Sequence, residues 1–463
     1  MKAAVGILAP LLLTGFLYGS VGAAKPVRST AFVDVTIVQG RQEPMHTHQT
    51  VVVSGSRIVA MGALQDVVVA ADATIIDGRH RYLIPGLIDV HVHLWGYSRT
   101  GEGDPDTERA VLNMLLANGI TTAVIMEGSP ASLALRRAVA DGSVTGPRLF
   151  TAGPLIQEEN SGAPPHRQTF TTVEEVTAEV VREKAAGYDF VKVHGALSAE
   201  SYAALLATAR AVGLPVIGHV PDNLGLDAAL DGGQVQITHI ESYLQSYFEF
   251  NRKLPTDAAE IDSMVRIVSD KTKRAGVYVA PTLSVFHQII AQIADVNALL
   301  GRPAMRYMPP AALADWRPPS NPYVQHWTVN DIPRLRAQFS VMQKIAKSLQ
   351  DAGVPLLAGT DDLVPCQLPG FSMQDEFEQL STAGLTPREI LQSATVNAAR
   401  FLNRPDVSGV IQVGNTADLV LLNANPLVDV DNVFRQEGVM LRGQWYTESE
   451  LMQRLDSDER NYR

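Results

Sequence analysis

Six side chains in this sequence have the types and spacing to hold metal ions. His91 and His93 are two residues apart at the end of the apolar run Leu87-Ile88-Asp89-Val90-His91-Val92-His93. On a strand, residues i and i+2 project to the same side, so both imidazoles can reach one ion. His219 and His239 close two later apolar runs, Asp361 closes another, and Lys192 lies inside the run Phe190-Val191-Lys192-Val193. Singly, each has a bland explanation, since a histidine at a strand end is ordinarily hydrogen-bonded scaffold. Four such histidines in register with a lysine and an aspartate point instead to a metal site. The single cysteine, Cys366, can form neither an internal disulfide nor a Cys-rich zinc ribbon, so the ligands must be His, Asp, Glu or a modified side chain.

Lys192 is the unusual member. A bare ammonium in an apolar strand carries a large desolvation cost unless it is paired or neutralised. One solution is a neutral amine that takes up CO₂ to become an N6-carboxylated lysine, whose two oxygens can bridge two metals. Charge counting favours this: two divalent ions set against the carbamate, Asp361 and a bridging hydroxide leave a small positive remainder, and losing the carbamate enlarges it in a partly dry pocket. The other reading of Lys192 is a salt-bridged barrel lysine.

Such residues need a scaffold that gathers strand ends. Short apolar runs fall at 87–93, 121–126, 148–152, 190–194, 216–219, 235–239, 277–281 and 355–359, with amphipathic stretches such as 106–118, 173–186, 198–212 and 332–351 between them. Eight β-then-α units over about 275 residues predict an α/β fold, a (β/α)8 TIM barrel whose active site lies at the C-terminal strand ends. An open doubly wound sheet would call for a Gly-rich first turn, which the sequence lacks. Helices over 374–382 and 387–401 close the barrel. Both chain ends are β-rich, including a hairpin around Ser54-Gly55-Ser56-Arg57 and a strand at Gly409-Val410-Ile411. Neither end has enough strands alone, so they combine as one small discontinuous β-sandwich. The expected divisions are 25–83 and 406–447 for the sandwich, 84–405 for the barrel and 448–463 for a C-terminal tail. A long connection, 283–331, carries Phe286, His287, Tyr307, Trp316, Tyr323, His326 and Trp327. It reads as a lid or substrate wall, with a subunit contact as the alternative.

Residues 1–24 have the form of a signal peptide: Met1-Lys2, an apolar middle, and a small-residue end at Ala23-Ala24. The expected location is therefore periplasmic or secreted, with no stable membrane insertion after cleavage. Lys and Arg number 38 against 49 Asp and Glu, a formal charge of −11, which argues against a nucleic-acid surface. A small-molecule substrate is the expected partner, and a homo-oligomer is compatible with the sequence.

The run Ile84-Pro85-Gly86-Leu87-Ile88-Asp89-Val90-His91-Val92-His93 resembles the first-strand signature of the metal-dependent amidohydrolase superfamily. Gly359-Thr360-Asp361 resembles its eighth-strand motif, and the segment from Gly409 to Val420 is similar to the one re-entering its β-sandwich. Val191-Lys192-Val193, Gly218-His219-Val220 and Thr238-His239-Ile240-Glu241 are similar to the Xaa-Pro dipeptidase and imidazolonepropionase-like branch. Val124-Ile125-Met126-Glu127-Gly128 departs from that pattern, standing where relatives often carry an Arg-Asp pair.

The resemblance implies two divalent ions, Zn²⁺ by default for a His-rich N/O site. His91, His93 and Asp361 would hold one, His219 and His239 the other, with carboxylated Lys192 bridging both. The implied reaction is attack of a metal-bridging hydroxide on a substrate carbonyl, with Asp361 as ligand and base passing the proton to the leaving amine. His194 is a candidate oxyanion or substrate-carboxylate contact, and Tyr243 and His287 are candidate substrate contacts. The expected activity is hydrolysis of an amide or peptide bond in a dipeptide or N-acyl amino acid. A lactonase, cyclic-amide hydrolase or phosphotriesterase would use the same site, and a metal-binding scaffold protein is the non-enzyme alternative.

Overall fold

The computed structural model describes residues 28–462 apart from 42, 95–104, 159–168, 196, 249–254 and 256; the signal-peptide reading of 1–24 therefore lies outside the described residues. The N-terminal β-rich stretch forms β1 (Thr30–Ile37), β2 (His46–Ser54), β3 (Arg57–Ala63), β4 (Thr74–Asp77) and β5 (Tyr82–Pro85). Gly55, with φ at +56°, makes the tight turn between β2 and β3.

The apolar runs that follow become the parallel strands β6 (Leu87–Val92), β7 (Ile120–Ile125), β8 (Arg148–Ile156), β9 (Phe190–Val193), β10 (Val216–Gly218), β11 (Gln236–Thr238) and β12 (Tyr278–Ala280), paired in sequence order. Every residue of β6 and β7 is buried, as strands covered on both faces require. The eighth run, expected as a strand over 355–359, makes only an isolated bridge, Val279 with Leu356. It still closes the ring, because Leu357 N–H donates to Val279 O at 2.8 Å and Val90 N–H donates to Ala358 O at 3.1 Å. Pro355 has no N–H to offer a ladder, and the chain turns at Asp361, whose φ is +51°.

Crossover helices surround the strands: α1 (Pro105–Ala117), α2 (Pro130–Asp141), α3 (Val173–Ala186), α4 (Ala199–Val212), α5 (Gly225–Gly232), α6 (Glu241–Phe248) and α7 (Ala258–Ala275). The stretch 283–331 is not an open loop. It is α8 (Leu283–Leu300) followed by short helical pieces that include α9 (Pro310–Asp315) and α10 (Pro322–His326). Leu283, Val285, Ile289, Ile290 and Ile293 of α8 are buried, and that apolar density favours a packed helix over a solvated connection. Next come α11 (Ile332–Asp351), α12 (Ser372–Thr382), α13 (Pro387–Ser393) and α14 (Val396–Leu402). The single helix expected over 387–401 is thus two, broken at Ala394-Thr395.

The chain then returns to the first sheet with β13 (Leu419–Leu422), β14 (Gln436–Leu441) and β15 (Gln444–Thr447), giving the order β15-β14-β13-β5-β1-β2-β3, with β4 on β1. Both chain ends build this sheet. Gly409-Val410-Ile411 is not one of its strands. Gly409 has φ at +62° against the Thr395 backbone, where a Cβ would lie 2.5 Å from Thr395 O, and the Ile411 N–H donates to the Gln39 side chain at 3.2 Å. The expected tail is helix α15 (Glu448–Asn461), started by a capping box between Thr447 and Glu450.

Candidate metal centre

Backbone hydrogen bonds fix the strand ends before any side chain is considered. His219 N–H donates to Val193 O at 3.0 Å, His239 N–H to Ala280 O at 3.0 Å and Asp361 N–H to His91 O at 2.8 Å. Two buried aspartates stitch the first strand to the eighth segment. Asp89 accepts from His91 N–H at 3.0 Å, Thr360 N–H at 3.2 Å and the Thr360 hydroxyl at 2.7 Å. Asp362 accepts from His93 N–H at 2.6 Å. Burial pushes the Asp89 carboxyl up to about 7 despite these bonds, and it holds Asp362 well above the carboxylate range. His239 and Asp361 sit at φ 65° and 51°, a conformation few non-glycine residues adopt, which turns their side chains over the strand ends.

The six predicted ligands and His194 meet there. His91 Nε2 lies 2.9 Å and His93 Nε2 3.0 Å from Asp361 Oδ1, with the two nitrogens 3.3 Å apart. His239 Nε2 faces the other oxygen, Oδ2, at 3.7 Å. His91, His239 and Asp361 offer ligand atoms that all lie within 4.8 Å of one another. The His219 ring is centred 4.7 Å from His239 and 4.4 Å from His194. Lys192 is fully buried in β9, level with Leu155 on β8 and Ile217 on β10. It passes over Gly218, where a Cβ would stand 2.6 Å from the Lys192 Cδ.

The electrostatics favour lone pairs over protons. Burial pushes His91 down to about 4 and holds His219 and His239 well below the usual histidine range. An ammonium at Lys192 adds to that depression in all three. Burial works to raise Asp361, but its histidine neighbours hold it well below the carboxylate range. The result is a carboxylate ringed by neutral imidazoles. His239 Nδ1 is 2.6 Å from the Thr282 hydroxyl, which donates onward to Pro281 O at 2.8 Å. That hydroxyl therefore accepts the proton of Nδ1 and leaves Nε2 with its lone pair. His91 Nδ1 and His219 Nδ1 are buried without a hydrogen-bond partner among the described residues. Two imidazole nitrogens aimed at one carboxylate oxygen, with further buried ring nitrogens unsatisfied, form a donor set that divalent cations suit.

A cavity of about 340 Å³ opens over this cluster, with His219, His239 and Asp361 at its floor. Its walls come from α8, α10 and α11, and are mainly apolar: Phe286, Ile290, Trp327, Phe339 and Met342 among them. Glu241 and Gln338 are polar exceptions, and burial raises Glu241 to about 8.

The Amidohydrolase family model matches residues 82–446. This chain belongs to the amidohydrolase family. It is 34% identical to the imidazolonepropionase of Shouchella clausii over 84 residues, 17% of this chain and 18% of that protein, so the match spans under a fifth of the relative's length. Among solved structures, a Xaa-Pro dipeptidase with methionine bound in its active site has a TM-score of 0.68 at 19% identity, covering 90% of this chain and all of that one. A bottromycin amidohydrolase has a TM-score of 0.73 at 22% identity, covering 94% and 91%. These likenesses agree with the barrel and the separate sheet.

Not every residue singled out from the sequence reaches the site of this amidohydrolase. Tyr243 is fully buried, its hydroxyl accepting from Thr272 at 3.3 Å, and it does not line the cavity. His287 is exposed and packs near Phe339, at 6.1 Å between ring centres, while its neighbour Phe286 faces the cavity. His194 lies beside His219 and is not part of the apolar wall. Sequence reasoning passed over Asp89, Asp362, Thr282 and Glu241. The first carried a readable signal, a charge inside an apolar strand, as Lys192 did.

Proposed function

We propose that this amidohydrolase is a binuclear metal-dependent hydrolase that cleaves an amide or peptide bond, in a dipeptide or N-acyl amino acid carrying apolar bulk. The observation that carries this reading is the set of imidazole Nε2 atoms converging on both oxygens of Asp361 at the floor of an apolar cavity. His91, His93 and Asp361 would hold one ion, His219 and His239 the second, and carboxylated Lys192 would bridge them, with Zn²⁺ the metal the donor set suits. When bound, divalent ions supply a Lewis acid and lower the pKa of water beside the substrate carbonyl.

The chain's own residues do the rest. Asp361, ionised and buried, takes a proton from the attacking water and delivers it to the departing nitrogen. Phe286, Trp327 and Phe339 receive the apolar part of the substrate, worth about 25 cal/mol per Å² of apolar surface removed from water. Packing that wall also keeps bulk water from the reacting atoms. Thr282 holds the His239 tautomer. The leader-like composition of residues 1–24 supports a periplasmic or secreted location.

The test is a panel of dipeptides, N-acyl amino acids, lactones and phosphotriesters assayed with added Zn²⁺. Turnover is expected on amide substrates with aromatic or long aliphatic groups. Turnover confined to lactones or phosphotriesters would replace this reading with that of a lactonase or phosphotriesterase.

A further inference from the structure

A second cavity, of about 490 Å³, lies at the opposite end of the barrel, where the N-terminal ends of β8 and β9 meet α2, the segment after α14 and the turn joining β14 to β15. In a chain of net charge −11 it gathers Arg136, Arg137, Arg148, Arg404 and Arg442. Asp189 and Asp406 also line it, and Asp418 lies behind, 3.8 Å from Arg148. Five arginines thus face three aspartates.

The guanidinium groups are held in place rather than loose. Asp189 accepts the Thr151 N–H at 3.0 Å and bridges Arg136 at 2.6 Å and Arg404 at 2.8 Å, so one carboxylate orients two cations. Arg148 pairs with Asp406 at 2.6 Å, yet its Nε is buried with no hydrogen-bond partner among the described residues. Arg442 donates to Gly146 O at 3.3 Å and has no carboxylate within ion-pair distance among the described residues. Burial makes its charge costly, and the repulsion of Arg148 adds to that. Arg137 is exposed at the rim, also without a carboxylate at ion-pair distance among the described residues. Leu149 and Phe150 give the cavity an apolar side, with the Arg404 guanidinium 5.9 Å from the Phe150 ring centre.

We propose that this cavity is a binding site for a phosphate- or sulfate-bearing small molecule. Arginine forks match the tetrahedral oxyanion in geometry, and pre-positioned guanidinium groups lose little freedom on binding it. The anion repays the cost that burial imposes on Arg148 and Arg442. The apolar side leaves room for an organic group attached to the oxyanion. Because the site lies at the barrel end away from the metal ligands, it is separate from the substrate cavity and independent of the proposed reaction.

Calorimetric titration of the metal-loaded protein with inorganic phosphate, pyrophosphate and sulfate tests this, with sodium chloride at matched ionic strength as the reference. Saturable binding is expected, with pyrophosphate tighter than phosphate. Arg137→Ala, on the surface and safe for folding, should weaken pyrophosphate by about threefold or more. Arg137→Ala with Arg442→Gln should weaken it by about tenfold or more, while the activity of the loaded enzyme is kept. Unchanged affinity in both variants would place the anion elsewhere, at the metals for instance, and overturn the proposal. Absence of binding beyond the chloride reference would overturn it as well.

Discussion

His239 Nδ1 lies 2.6 Å from the Thr282 hydroxyl, and that hydroxyl is already committed as a donor to Pro281 O at 2.8 Å. The direction of one proton is thereby set by a residue that need never touch substrate. Thr282→Ala removes the acceptor and frees the ring to take the other tautomer. Metal affinity and kcat/KM should fall by roughly 10- to 100-fold, the usual effect of losing a partner that orients a ligand. Thr282→Ser keeps the hydroxyl and should restore most of both. Equal losses in the two variants, measured by metal titration and steady-state kinetics, would argue for a packing role instead.

Asp361 combines two demands, a left-handed backbone at φ 51° and a carboxylate shared among histidines. Asn tolerates that backbone better than most residues and keeps the shape. Asp361→Asn should therefore fold normally by circular dichroism and thermal melting. Its kcat should drop by about 10³-fold or more, since both the charge and the proton acceptor are lost. Wild-type kcat in this variant would remove Asp361 from proton transfer.

The barrel and the cluster at its mouth were legible because strand ends leave a simple signature: a short apolar run closed by a residue able to do chemistry. Helix faces do not. Phe286 and His287 are neighbours on α8, and one step along a helix turns a side chain by about 100°, so the first faces the cavity while the second faces solvent. Tyr243 follows Glu241 by two residues on α6, about 200° around the axis, which sends Glu241 to the cavity and Tyr243 inward to Thr272. Nothing local in the sequence sets that phase, because it depends on which neighbour the helix packs against. Asp89 and Asp362 were hidden for another reason: their work is to accept backbone N–H groups across the seam of the barrel, a pairing of residues more than 250 positions apart for Asp89 with Thr360 and Asp362 with His93.

Lys192 should decide how many ions the protein holds. Elemental analysis of the pure protein is expected to find close to two divalent ions per chain, falling to about one or fewer in Lys192→Ala, with a large loss of activity. Exhaustive chelation should abolish turnover, and added Zn²⁺ should restore it. A single ion in the wild type, together with full activity of Lys192→Ala, would exclude a bridging role.

Glu183 tests the account of burial away from the metal site. It is fully buried on α3 against Gly153, and neither carboxylate oxygen has a hydrogen-bond partner among the described residues. Burial, then the neighbouring Glu179, raise its pKa well above the ordinary value, with Arg182 opposing. A carboxyl whose folded pKa exceeds its unfolded one, about 4.3, binds its proton more tightly in the native state. Its contribution to stability is thus complete in acid and is lost as pH rises from the unfolded pKa through the raised folded one. Glu183→Gln cannot ionise, so the gap between its melting temperature and that of the wild type should widen in the variant's favour by a few degrees between about pH 5 and 8. Parallel curves across that range would mean that Glu183 meets a compensating charge in solution.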